Sequence, residues 1–187
     1  MVNRLDLYVQ KQLDLFNDLP SKVKTEIERS LMYKKSGLTG FVSRCDSPIE
    51  QLLGVHLMEV EQHLYMELPT LKNFKSLHTI PQKEIETDGG KYRLDFLIEC
   101  AMHDKTYNFA IECDGHNFHE KTKEQAAKDK SRERSLMKEG IIMMRFTGSE
   151  IWKDPSKCAA EVIKIISKTV GLDDYIQKLI DEMYISN

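Results

Sequence analysis

The chain predicts an α/β sandwich on a mixed β-sheet, with elements in the order α-β-β-β-α-β and further helices at both ends. Three observations carry this. A well-capped helix opens at Ser47. The apolar period then changes from helical to two over three consecutive runs. A polar helix, stopped by Gly140, leads into the short apolar run "IIMMRF" (141–146). Strands joined by tight turns are antiparallel, whereas a strand entered through a helix runs parallel to its neighbour, so the sheet is mixed.

From the N-terminus, residues 3–35 are helical in pattern, with Leu5, Tyr8, Val9 and Leu13 at helical spacing and Val23, Ile27 and Leu31 repeating it after Pro20. "KKSGLTG" (34–40) predicts a loop and a boundary between a helical extension, residues 1–44, and a main domain, residues 45–187. At Ser47 the cap residue, Pro48 in the first turn and Glu50 form an S-x-x-E capping box, and Pro69 ends that helix. His56 shares the apolar face and reads as a core histidine. Strands follow over 79–86, 91–99 and 107–114, a helix over 121–139, a buried strand over 141–146, and two closing helices, "DPSKCAAEVIKIISKTV" and "LDDYIQKLIDEMY".

Composition excludes several classes. With 187 residues, 30% charged and 41% hydrophobic, the chain is an ordinary globular one with length for a sizeable core. A net charge of −3 gives no global pull toward nucleic acid or anionic lipid, so any such binding comes from a local patch. No signal peptide and no membrane-spanning apolar run is visible. The cysteines Cys45, Cys100, Cys113 and Cys158 show no paired spacing and read as reduced thiols of a cytoplasmic protein.

The stretch "IECDGHNFHE" (111–120) ends a buried strand with Glu112, Asp114, His116 and His119. Burying such charge is costly unless partner residues or a cation offset it. Turn chemistry sets the register. A two-residue turn at Asp88-Gly89 pairs Arg93 with Glu84 and Asp95 with Gln82. A two-residue turn at His103-Asp104 pairs Asp95 with Glu112 and Arg93 with Asp114. Two rows result: Glu84–Arg93–Asp114, self-neutralising, and Gln82–Asp95–Glu112, without a cation. Opposed like charges destabilise a sheet, so the second row calls for an external cation, and carboxylate oxygens suit Mg²⁺ or Mn²⁺.

The helix with Glu50, the strand "YRLDFLIE", the strand "FAIECDGHNFH", the helix "EQAAKDKSRERSLMKEG" and the strand "IIMMRF" together resemble the PD-(D/E)XK nuclease superfamily. More narrowly, they resemble its very-short-patch-repair-like branch, in which an E-x-D-G-x-x-x-H string (Glu112, Asp114, Gly115, His119) precedes a D-x-x-R-x-x-x-L-x-x-x-G helix (Asp129, Arg132, Leu136, Gly140). The resemblance covers residues 47–152 and implies a restriction-endonuclease-like sandwich. It implies that Asp95, Glu112 and the main-chain carbonyl of Cys113 bind a divalent metal, and that Glu50 holds a second metal or its water. Asp114, a further candidate catalytic residue and metal ligand, stands where the superfamily's Lys belongs. That Lys's role stays open among His119, Gln125, Lys121 and Lys128.

The expected activity is Mg²⁺- or Mn²⁺-dependent hydrolysis of phosphodiester bonds in DNA, with Lys121, Lys128 and Arg132 of the charged helix on phosphates. Other readings stand beside it. A catalytically inactive nuclease-fold module would bind nucleic acid or a protein partner, the latter through the N-terminal helices. A zinc-stabilised domain would use Cys113, His116 and His119, a spacing short for a structural finger. Glu50 is also explained as a capping residue, Asp114 as the partner of Arg93, and the Lys- and Arg-rich helix as a solvated face.

Overall fold

The computed structural model describes residues 13–67, 73–115 and 122–172. Residues 13–17 are helical. The elements that follow are α1 (Ser21–Val42), α2 (Pro48–Glu67), β1 (Phe74–Thr87), β2 (Gly90–Met102), β3 (Lys105–Asp114), α3 (Lys123–Lys138), β4 (Ile141–Thr147), α4 (Gly148–Lys153) and α5 (Pro155–Val170). The order α-β-β-β-α-β is as expected. The strands lie side by side as β1-β2-β3-β4, with β1, β2 and β3 antiparallel and β4 parallel to β3.

Both turns set the expected register where the ladders run. Thr87 pairs with Gly90 and Glu84 with Arg93 across the first hairpin. Met102 pairs with Lys105 and Phe96 with Ile111 across the second, where His103 takes the left-handed φ of 56°. One face of the sheet carries the larger core: Phe96, Ile98, Phe109 and Ile111 pack with Leu53 and Leu57 of α2 and Val162 and Ile163 of α5. On the other face Leu94, Leu97 and Ala110 pack with Leu136 of α3. Helices thus cover both faces of the sheet.

The predicted loop at 34–40 is helix, because α1 runs unbroken to Val42. Interior glycines cost a helix about 1 kcal/mol each. Burial of the last turn offsets this: Phe41 is 4% exposed and stacks on Phe96 at 6.2 Å. Earlier in α1, Val23 and Leu31 are exposed. The short helix α4 is unpredicted, although Thr147 and Glu150 form a capping box there. Helix α5 starts at its Asp154 cap and stops at Gly171, φ 77°. The last predicted helix and the Pro69 stop lie outside the described residues. Among the described residues no helix is long and apolar enough to cross a membrane.

Candidate active site

The strands separate where the carboxylates begin. The β2–β3 ladder ends at Phe96–Ile111. Just beyond it, Oδ2 of Asp95 accepts a hydrogen bond from the Cys113 N–H at 2.7 Å, so a side chain takes over from the main-chain ladder. On the other side of β2, the ladder pairs Lys83 with Leu94 and Pro81 with Phe96 and omits the position between. There Pro81 has no N–H to give, and Gln82 sits at φ 52°. Residues two apart in a regular strand share a face. Here Leu94 joins the α3 core and Phe96 the α2 core, so β2 changes face at Asp95.

Asp95 stands between two acidic neighbours at this irregularity, interacting electrostatically with Glu50 of α2 on one side and Glu112 of β3 on the other. Glu50 is 6% exposed. Its oxygens accept from Ser47 Oγ at 2.6 Å, the Asp46 N–H at 2.9 Å and Gln82 Nε2 at 2.6 Å. The capping residue is therefore also a wall of the site. Gln82 turns toward Glu50 rather than lying in a row with Asp95. Burial raises the Asp95 carboxyl above its ordinary value; Glu50 and Asp114 add to this, against the Cys113 N–H and Arg132. Glu112 is 7% exposed, and burial pushes its carboxyl up to about 7, with Asp95 adding and Arg132 and Arg145 opposing.

The expectation that the Asp95–Glu112 row lacks a protein cation is overturned. Arg132 of α3 binds Glu112 through two nitrogens, at 2.6 and 3.2 Å, and donates to the Arg93 carbonyl at 2.8 Å. Arg132, expected on DNA phosphates, thus faces the sheet. It reaches the gap that opens where β2 and β3 part. The self-neutralising row is also replaced. Glu84 pairs with Lys91 at 2.7 Å, and Arg93 with Asp46 at 2.6 Å. Asp114 pairs with Arg145 of β4, which also reaches Glu133 at 3.3 Å. The separation of the strands removes Asp114 from the neighbourhood of Arg93, and the parallel neighbour β4 supplies the cation instead. Arg145 was missed by sequence reasoning. Its signal was a charged residue inside the apolar run "IIMMRF".

Gln125 is exposed and closes a capping box with Thr122, its Oε1 accepting from the Thr122 N–H at 2.8 Å. Lys128 is exposed on α3. His116, His119 and Lys121 lie outside the described residues. The Cys113 thiol is half-buried, and burial together with Asp95, Glu50 and Glu112 pushes its pKa far up, so it is a neutral thiol.

Among the described residues, no three His, Cys, Asp or Glu side chains are gathered as a ready-made metal site. The set implied for Mg²⁺ is smaller: two carboxylates and one carbonyl, the kind of partial shell that Mg²⁺ completes with water and substrate oxygens. It fits on two counts. Oδ1 of Asp95 has no hydrogen-bond partner among the described residues. A strand residue's N–H and C=O point to the same neighbour, so the Cys113 carbonyl faces the Asp95 side with its N–H. Glu112 would have to share or leave Arg132.

Residues 74–166 match the model of the family REase_MTES_1575, a restriction-endonuclease-like family. The matched span runs from β1 into α5 and includes Asp95, Glu112, Asp114 and Arg132; Glu50 lies before it. No curated protein and no solved structure matches the chain. The match agrees with the sheet and its flanking helices: the fold is of the PD-(D/E)XK nuclease type. The narrower likeness to very-short-patch-repair endonucleases rests on the sequence motifs alone.

Proposed function

From that match, we propose that the protein is a divalent-metal-dependent endonuclease hydrolysing phosphodiester bonds in DNA. The observation that carries the reading is Asp95 at the break in the sheet, coupled electrostatically to Glu50 of α2 and to Glu112 of β3, inside a restriction-endonuclease-like fold. Two of these carboxylates are raised by burial, so a cation arriving there relieves a cost the fold already bears.

Asp95, Glu112 and the Cys113 carbonyl would hold Mg²⁺ or Mn²⁺. A bound Mg²⁺ supplies Lewis acidity toward the phosphate and lowers the pKa of water. The chain's own residues do the rest. Asp95 is fixed by the Cys113 N–H and keeps its other oxygen for the site. Glu50, held by Ser47, Asp46 and Gln82, is fixed in place on the α2 side. Arg132 orients the Glu112 carboxylate from the α3 side. Lys128 is exposed on α3 and would be the residue there that meets a phosphate. Among the residues in the place of the superfamily's Lys, His119 has the basicity to take a proton from the attacking water near neutral pH. Lys121, Gln125 and Lys128 are the alternatives for orienting that water.

The test is cleavage of single-stranded, duplex, mismatched and branched DNA in Mg²⁺, in Mn²⁺ and in chelator. Cleavage in either metal and none in chelator is expected. No cleavage of any substrate in either metal would leave the alternative, a nuclease-fold module that binds without cutting.

A further inference from the structure

A cleft of about 340 Å³ is lined by Ile49, Gly115, Gly148, Ser149, Trp152 and Lys153. Small-ligand pockets span roughly 300–1,000 Å³, so this one has room for a single flat ring system. Two of its lining residues are chain neighbours of acidic residues of the site: Ile49 precedes Glu50, and Gly115 follows Asp114. Gly148 keeps the floor open. A Cβ there would lie 3.3 Å from the Asp114 carbonyl oxygen and 3.4 Å from Cδ1 of Ile49.

Trp152 is 69% exposed, while its neighbour Ile151 is fully buried. Burial of Ile151 and the Thr147–Glu150 capping box fix α4, so the indole is carried outward on an anchored element. Large apolar side chains standing singly on a surface are common and need no explanation. This one differs in its surroundings: a mostly apolar cleft, an adjacent Lys153, and lining residues that flank Glu50 and Asp114 in the chain.

We propose that this cleft is a nucleobase subsite: an unpaired base of the substrate strand stacks on Trp152, and Lys153 meets the neighbouring phosphate. The reasoning rests on the nuclease reading and names its substrate class, a strand with an unpaired nucleotide beside the cut. A base offers the apolar face the cleft matches, and its phosphate the negative charge that Lys153 complements. A base stacked within duplex cannot present that face without leaving the stack.

Trp152 is the single tryptophan of the chain, so its fluorescence reports the subsite directly. The experiment titrates oligothymidylate, and a hairpin duplex of equal phosphate number, into the full chain at low salt, in Ca²⁺ and in parallel in chelator. Binding is followed by anisotropy of labelled DNA, and stacking by tryptophan quenching. Saturable quenching by the single strand and little by the duplex are expected. Trp152→Ala should weaken single-strand binding about 5- to 150-fold, the equivalent of about 1–3 kcal/mol. Trp152→Phe should fall between, with duplex affinity and melting temperature unchanged. Single-strand binding without quenching, and undiminished in Trp152→Ala, would overturn the subsite and leave the nuclease reading standing. Absence of binding to either DNA would overturn both.

Discussion

Replacing Arg132 by Met tests the electrostatics of the site, because it keeps the side-chain stem and removes the guanidinium. Two contacts to Glu112 and one to the Arg93 carbonyl are lost. Breaking a buried ion pair from one side typically costs about 3–5 kcal/mol, since the remaining charge is stranded. Here the stranded group has an escape. Glu112 already titrates at about 7, so without Arg132 it keeps its proton and stays neutral. The charge-related loss is then the work of keeping that proton at pH values where the native carboxyl would release it, about 1.4 kcal/mol per pH unit above 7. The loss of the bond to the Arg93 carbonyl adds about 1 kcal/mol at any pH. Arg132→Met is therefore expected to lose about 1 kcal/mol at pH 6 and roughly 2–3 kcal/mol at pH 8. Urea unfolding in chelator across pH 5.5 to 8.5 measures it. A loss independent of pH would refute the reasoning and leave Arg132 a packing residue, its guanidinium carbon 5.8 Å from the centroid of the Tyr92 ring.

Three further outcomes follow from the same geometry. The folded Glu112 carboxyl lies above its ordinary value near 4.5, so between there and about 7 the native state holds a proton that the unfolded state has released. Metal-free stability should fall as pH rises through that window, by up to about 3 kcal/mol, and Glu112→Gln should flatten the fall when unfolding is followed against pH. Mn²⁺ or Mg²⁺ should raise the melting temperature of the native chain by mass action, a rise absent in Glu112→Gln; differential scanning fluorimetry reads both. Gly54→Ala places a Cβ 2.9 Å from a Phe41 ring carbon and 3.3 Å from Phe96, so it should push the stacked rings apart and cost about 1–3 kcal/mol in urea unfolding.

What the sequence made legible was local or carried by turns. Asp88-Gly89 and His103-Asp104 set both hairpin registers, Ser47 and Glu50 opened α2, and Gly140 stopped α3. The predicted rows failed where the ladders end. Pro81 signalled the break, since proline belongs to edge strands and bulges, yet its consequence for Gln82 and Asp95 depends on how two neighbouring strands separate. Arg132 was one basic residue among many on a polar helix. Only the placement of α3 against the parted strands aims it at Glu112, and no spacing in the sequence encodes that. The glycines at 37 and 40 obey local propensity in suggesting a loop; the burial of Phe41 outweighs it. Thr147 and Glu150, by contrast, form a visible T-x-x-E box, and α4 was readable.

The most direct test of the proposed chemistry sets native protein beside Asp95→Asn, with plasmid cleavage in Mg²⁺ and thermal melts in chelator run on the same preparations. The Asn amide oxygen can still accept from the Cys113 N–H, and the half-buried charge it removes is repelled by Glu50 and Asp114 and disfavoured by burial more than Arg132 favours it. An amide is a far poorer ligand than a carboxylate for a hard divalent ion. The account predicts that Asp95→Asn melts at or slightly above the native temperature in chelator and does not cut DNA that the native protein cuts. Cleavage by Asp95→Asn at a near-native rate, or a large loss of stability in chelator, would contradict it.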